Sequence, residues 1–391
     1  MASALGLLAT NVSVSEILPD SQEKADVRPA HHANDAKTKF ANPWPSFREV
    51  PSFRWRIVKE ARARHPEVPK DLEALVHLQK PNWGAGSRPE AIKATWLGHA
   101  CYLVEFPSPA EGVRGPRVLF DPALSHRCSP FTWMGPARLT PVPCPIDDIP
   151  AVDAIVLSHN HYDHTDSATL QKLFTKYKPQ IFAPLGNGCY FQSLGIPASH
   201  THILDWWDAR ALTLTLAPAP DAPGAATALR ITCTPCQHTA ARGPWDRDQT
   251  LWASWAVASV PPAGQEPRSV WFAGDTGYRT VFAGEDEAGV PVCPAFREIG
   301  ARMGPVDLAL IPIGAYMPRD LFSNVHSSPA DSVRIFRDVR ARKALAMHWG
   351  TWILTTEDIM EPPKLLAKEA AALGIPEGDF DVCGLGETRF F

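Results

Sequence analysis

Six short apolar stretches in this chain each run into a residue able to bind a metal ion, and this repetition constrains the fold more than any other feature. "IKATWLGHACYLVEF" passes through His99, "RVLFDPAL" carries Asp121, and "AVDAIVLSHNHYDH" ends in a dense cluster. Further on, "ALRITCTPCQH" reaches His238, "SVWFAGDTG" delivers Asp275 and "KALAMHWGT" delivers His348. Short apolar runs bounded by Gly and polar turn residues read as strands. Helices are expected between them. "DSATLQKLFTKY" follows the cluster, and "SPADSVRIFRDVRARK" opens with Ser328 as N-cap and Pro329 at the first helical position. "PPKLLAKEAAALG" is closed by Gly374, and "WASWAVASVPPAGQEPRSVWFAG" reads as a hairpin around a Pro/Gly connection. The result is an α/β chain without solenoid repeats. Its 39 prolines, about twice the usual share of roughly 5%, favour loops over long helices.

In "HNHYDH" the candidate ligands are His159, His161, Asp163 and His164. Side chains two apart on an extended segment point the same way, so His159 and His161 can address one ion, and Asp163 and His164 a second. Imidazole nitrogen with carboxylate oxygen suits Zn²⁺, while ligand type alone also admits Fe or Mn. Two ions about 3.5 to 4 Å apart need one more nitrogen each and a bridging carboxylate. His238, Asp275 and His348 supply that set. Taken singly, a strand-end histidine is more often structural, but desolvating four such residues together without a cation is costly.

Other residues carry less. Cys233 and Cys236 form a CxxC with no second pair, so they read as structural, and eight cysteines scattered over 391 residues read as reduced thiols. His99 is expected to contact the outer groups of the site or pack near it, Trp206 and Trp207 to pack in core and rim, and Tyr162, between the ligands, carries little weight by itself. A net charge of −4 argues against a general nucleic-acid partner. No apolar run reaches the roughly 18 to 20 residues that span a bilayer, and the start lacks a basic leader. The expectation is an intracellular protein, cytoplasmic or organelle-associated, and peripheral to a membrane rather than through it.

Residues 1–38 are polar and aperiodic and are expected to be a disordered tail that includes His31 and His32. From Phe40 to Lys70 the chain carries seven Arg/Lys against three Glu, interleaved with Trp44, Phe47, Phe53 and Trp55. Two readings stand: a solvated helix whose aromatics anchor it to the domain, or a surface that meets anionic lipid.

With "HNHYDH", "CQH", "FAGDTG" and "MHWGT" in this order, the sequence resembles the metallo-β-lactamase superfamily. The resemblance implies an αββα sandwich, two mixed β-sheets flanked by helices, over residues 39–391, with a dizinc site at one edge. Longer stretches, including "FANPWPSF", "TWLGHACYLVEF", "DQTLWASW" and "VRIFRDVRARKALAMHWGT", are similar to the N-acylphosphatidylethanolamine-hydrolysing phospholipase D family. That family implies two Zn²⁺ per chain, with His159, His161 and His238 on one, Asp163, His164 and His348 on the other, and Asp275 bridging. "NVHSSPADSVRIF" puts His326 at the position of the family's active-site histidine, so His326 and Asp275 are the catalytic candidates.

The implied reaction on a phospholipid substrate is hydrolysis of N-acylphosphatidylethanolamine to N-acylethanolamine and phosphatidic acid. Water is acidified between the metals, and His326, titrating near its ordinary value, protonates the departing oxygen or hydrogen-bonds the phosphate. A lactonase or another dizinc hydrolase of the same fold is compatible with the same ligands, and so is a homodimer. A diiron oxidase is disfavoured, because it typically has glutamate where this chain has His161. A closed zinc-stabilised binding module is disfavoured because such sites are usually cysteine-rich. Residues 110–116, 217–228 and 261–267 look like loops private to this chain.

Overall fold

Ligands placed at strand ends can meet only where several strands end together, and two sheets packed face to face achieve this. The structure, a computed structural model, describes residues 7–18, 28–51, 53, 55–56, 59–60, 66–85, 87–261 and 266–391. One sheet contains β1 (Thr10–Ile17), β8 (Ala209–Leu216), β9 (Ala225–Thr234), β10 (Ser254–Ser259), β11 (Ser269–Phe272), β12 (Val306–Pro312), β13 (Ala341–Met347) and β14 (Phe380–Asp381), side by side in that order. The other runs β15 (Thr388–Phe390), β2 (Lys93–Gly98), β3 (Cys101–Glu105), β4 (Arg117–Phe120), β5 (Ala154–Val156), β6 (Gln180–Pro184) and β7 (Thr201–Leu204). Both are mixed. Pairing is antiparallel from β1 to β11 and from β15 to β4, and parallel over the remaining strands of each sheet.

The two-residue period of a strand decides which layer each side chain enters. Val118 and Phe120 of β4, Ala154 and Val156 of β5, and Phe182 of β6 face the opposite sheet. Their neighbours Leu119, Ile155 and Ile181 face outward and pack on Leu170, Leu173, Phe174 and Tyr177 of helix α1 (Ser167–Tyr177). Between the sheets the Phe120 and Phe272 rings stack at 4.8 Å, and the Trp255 indole N–H donates to the Leu157 carbonyl at 3.0 Å. Helices α2 (Ala295–Met303), α3 (Pro329–Asp338) and α4 (Glu361–Ala372) cover the larger sheet with Phe296, Ile299, Val333, Phe336 and Leu366. This is the expected αββα sandwich.

The local signals hold as read. Ser328 accepts from the Asp331 N–H in a capping box with proline in the first turn of α3, Asp166 caps α1, and Gly374 follows α4 at φ 68°. The β10–β11 hairpin forms in register Trp255↔Phe272, and its connecting residues 262–265 lie outside the described residues.

The expected disorder of residues 1–38 is corrected for the described part of that segment. Thr10–Ile17 is an edge strand, antiparallel to β8 and mostly exposed. Such a strand is held by backbone hydrogen bonds along one side and needs little apolar pattern, so composition concealed it. His31 and His32 are buried at 7% and 2% exposure. In the Phe40–Lys70 segment, Arg54 lies outside the described residues. Arg48 pairs with Glu285 at 2.5 Å and Arg56 with Asp320, while Trp44 stacks on Trp206 at 5.4 Å and Phe53 meets Phe322 edge-on at 5.7 Å. These contacts follow the packed reading. Trp55 alone of the four aromatics stands free, at 82% exposure.

One close approach fixes where β12 and β13 end. A Cβ on Gly314 would lie 2.1 Å from the His348 carbonyl oxygen. Gly314→Ala is therefore expected to destabilise the protein by about 1 to 3 kcal/mol, as overpacking does, and to displace His348. The urea midpoint and metal content measure both effects, and wild-type values for both would show that the two strand ends separate freely.

Candidate metal centre

Six strands of the sandwich deliver chemistry at their C-terminal ends. His99 directly follows β2, Asp121 follows β4 and His348 follows β13, and each adopts a left-handed backbone, with φ of 53°, 36° and 65°. His159 lies three residues past β5, His238 four past β9, and Asp275 three past β11. Non-glycine residues at positive φ are uncommon and cluster at functional sites, because the turn that exposes the side chain is worth its strain.

The side chains fall into two groups joined by a carboxylate. His159 Nε2 lies 2.8 Å from His161 Nδ1, which lies 3.4 Å from His238 Nε2. Around Asp163 Oδ2 sit His99 Nε2 at 3.0 Å, His164 Nε2 at 3.4 Å and His348 Nε2 at 3.6 Å. Asp275 Oδ2 stands between, 3.1 Å from His164 Nε2, 3.0 Å from His348 Nε2 and 3.8 Å from both His238 Nε2 and His326 Nδ1. All seven residues expected as ligands, with His326, are thus gathered in one place. By spacing they fall into a group of His159, His161 and His238 and a group of Asp163, His164 and His348 that His99 joins.

Outer hydrogen bonds aim the imidazoles. Asp121 accepts from the Ser158 hydroxyl at 2.5 Å, so Ser158 Oγ is left to accept from His159 Nδ1 at 2.9 Å. Asp121 also accepts from His164 Nδ1 at 2.6 Å, and the Val325 carbonyl accepts from His238 Nδ1 at 2.8 Å. In each case Nδ1 carries the proton and the Nε2 lone pair faces the centre, the arrangement a metal ligand requires. His164 Nε2, His348 Nε2 and Asp275 Oδ1 are buried with no hydrogen-bond partner. Buried polar atoms without hydrogen bonds are costly, and divalent cations would satisfy them, so the residues fit a metal pair.

Electrostatics agree. Burial, reinforced by neighbouring imidazoles, holds His159 and His238 well below the ordinary histidine value. Burial also lowers His161. Against the same burial, Asp275 and Asp163 raise His164 well above that value, and Asp275 with Asp163 raises His348 to about 9. Without metal, protons on these two imidazoles balance the buried carboxylates.

Sequence reasoning gave three residues too little weight. Asp121 orients two imidazoles, and its only signal was its place at a strand end. His99 bonds Asp163 and its ring lies 3.9 Å from that of His348. Arg242 donates to the Asn160 and Thr165 carbonyls, both at 2.8 Å, and stacks over Tyr162 at 3.9 Å and Tyr190 at 4.5 Å, so it braces the "HNHYDH" loop from outside. The Tyr162 ring is a platform for that guanidinium. Cys233 and Cys236 are fully buried, with thiols pushed well up by burial, as suits structural residues.

His161, His238 and His326 open onto a cavity of about 650 Å³. Val50, Phe53, Trp55, Pro244, Phe322 and Val325 wall it, with Glu49 and Arg247 at its polar side.

Residues 116–349 match the beta-lactamase superfamily domain. The chain is 35% identical over 301 residues to "N-acyl-phosphatidylethanolamine-hydrolyzing phospholipase D 1" of Caenorhabditis elegans, covering 75% of this chain and 74% of that one. It is 27% identical to the Saccharomyces cerevisiae protein named "N-acyl-phosphatidylethanolamine-hydrolyzing phospholipase D, mitochondrial", covering 84% and 70%. Among solved structures, an isothiocyanate hydrolase from Delia radicum gut bacteria superimposes with a TM-score of 0.50 at 18% identity, covering 76% of this chain and 99% of that one. That likeness bears on the fold.

Two measurements test the centre. Asp121→Asn keeps the shape but weakens the acceptor for His164 and Ser158, and is expected to lower metal affinity about 10- to 100-fold. Zinc competition against a chromophoric chelator reads this, and wild-type affinity would deny Asp121 its orienting role. Because metal must displace the proton of His348, apparent zinc affinity of the stripped protein should rise as pH goes from 7 towards about 9. A flat affinity over that range would mean the imidazoles are already neutral.

Proposed function

The chain belongs to the N-acyl-phosphatidylethanolamine-hydrolysing phospholipase D family of the beta-lactamase superfamily, and from that premise we propose that it is a zinc-dependent phosphodiesterase that cleaves N-acylphosphatidylethanolamine to N-acylethanolamine and phosphatidic acid. The observation that carries this reading is the cavity. Its floor is three imidazoles, and its wall is Val50, Phe53, Phe322 and Val325. A phosphodiester flanked by acyl chains presents the same division, charge at one point and hydrocarbon around it.

Divalent cations held by the seven ligands would supply Lewis acidity and acidify water for attack at phosphorus. The chain's own part is orientation and hydrogen bonding. Val325 and Ser158 lock His238 and His159, and Arg242 fixes the backbone that carries His161. Burial pushes His326 down to about 4, which corrects the expectation that it titrates near its ordinary value. At neutral pH it is an uncharged imidazole with one N–H to donate. It is placed to donate a hydrogen bond to a phosphate oxygen or to the departing oxygen.

The approach to lipid is also reassigned. Arg48 and Arg56 are engaged by Glu285 and Asp320, so basic charge is a weak candidate for holding the protein to a membrane. Trp55 and Trp245, 82% and 88% exposed at the cavity rim and beside it, are better placed to enter an interface. Among the described residues no helix is long and apolar enough to cross a membrane.

The test is incubation of zinc-loaded protein with N-acylphosphatidylethanolamine vesicles and, separately, with a lactone panel, with products identified by mass spectrometry. Turnover of lactones but not of the phosphodiester would replace this reading with the lactonase one. His326→Ala is expected to lower phosphodiester turnover about 10²- to 10³-fold with both metals retained, as loss of a transition-state donor does. His326→Gln should recover part of the activity, because its amide donates. Metal loss in the alanine variant would make His326 a ligand instead.

A further inference from the structure

A second convergence of metal-ligating side chains lies away from the centre just described, at the C-terminal end of β7. His31 Nε2 and His32 Nε2 point at the two oxygens of one carboxylate, Asp205 Oδ1 and Oδ2, each at 2.7 Å. The three donor atoms fall within 4.8 Å of one another. The histidine side chains are 9% and 1% exposed and that of Asp205 is 15% exposed.

The two contacts differ in kind. His31 makes a hydrogen bond to Oδ1, which also accepts from the Trp206 backbone N–H at 2.8 Å. His32 Nε2 is buried and has no hydrogen-bond partner despite lying so near Oδ2. At 2.7 Å the contact is close enough for an ion pair but is not aligned as a hydrogen bond, and a cation held by both atoms would satisfy the imidazole nitrogen and the carboxylate oxygen together. The same spacing occurs in the centre already described, where His159 and His161 nitrogens face each other at 2.8 Å.

We propose that His31, His32 and Asp205 form a separate divalent-cation site of the zinc class, structural in role, which clamps residues 28–40 to the end of β7. Two nitrogens and one carboxylate supply three protein ligands, and the opening at Asp205 leaves room for water as the fourth. The surroundings are rigid. His31 stacks on Trp206 at 4.2 Å, Trp206 stacks on Trp44, and the Asp205 backbone N–H is held by Asp208. The clamp also reaches the catalytic strand. Just beyond the clamped residues, Asn42 donates to the His238 carbonyl at 2.8 Å and Ser46 donates to Gln237 at 2.6 Å.

The experiment strips the full-length protein with a chelator, saturates it with Zn²⁺, removes free metal by desalting and counts zinc per chain by mass spectrometry. Wild type should hold one zinc more than His32→Gln and than Asp205→Asn, while all three hydrolyse a soluble phosphodiester at comparable initial rates. Equal zinc in wild type and both variants would overturn the site and leave a hydrogen-bonded clamp. Because either variant can fail to fold, wild-type crystals supply a second reading. An anomalous zinc peak among His31, His32 and Asp205 supports the proposal, and its absence in zinc-saturated crystals overturns it.

Discussion

Asp275 stands within about 3 Å of two imidazole nitrogens and is almost wholly buried. A carboxylate withdrawn from water is stable only where positive charge faces it. Asp121 is as deeply buried and Asp163 lies beside them, partly exposed, so the strand ends form a pocket of negative charge that either protons on His164 and His348 or metal cations must balance. The outer hydrogen bonds, the left-handed turns at His99, Asp121 and His348, and the brace from Arg242 all hold that pocket in one arrangement. A flexible pocket would let the carboxylates reach water and the charge balance would be lost.

The sandwich explains why such an arrangement can be held. Strand ends in a sheet are fixed by ladders on both sides, and two sheets packed through residues such as Phe120 and Phe272 leave little freedom between their edges. His159 and Asp275 come from different sheets. They are tied through the Ser158 carbonyl, which accepts the Ala253 N–H, and through the close approach of Gly274 to Ser158, where a Cβ would meet the Ser158 Cβ at 2.5 Å. The glycine in "FAGDTG" is there because at φ 60° it lets the two sheets touch just beneath the metal centre.

Much of this was legible in the chain because the site is built from strand ends, where apolar runs and their terminating residues are contiguous in sequence. "AVDAIVLSHNHYDH" carries its strand, its turn and four ligands in one stretch, and the capped helix after Ser328 is equally local. Legibility failed where the physics is non-local. β1 was missed because an edge strand borrows its hydrogen bonds from β8, some 200 residues away, and has no apolar signature of its own. His31 and His32 looked like tail residues because their partner, Asp205, lies at the end of another strand. The sequence left two readings of Phe40–Lys70 open because Glu285 and Asp320, the partners of Arg48 and Arg56, are remote in the chain and meet them only in the fold.

The centre is also asymmetric in access, and this orders the chemistry. His164, Asp275 and His348 lie beneath the surface, whereas His161 and Asp163 are partly exposed and His161, His238 and His326 line the cavity. The cavity walled by Phe53 and Phe322 opens on the three-histidine side, with His326 beside it and Asp163, His164 and His348 away from its lining. On the reading proposed, a neutral His326 there would add a directed hydrogen bond without repelling bound cations. Charge compensation is then left to the buried side of the centre, where the dielectric is low and fixed charges act most strongly.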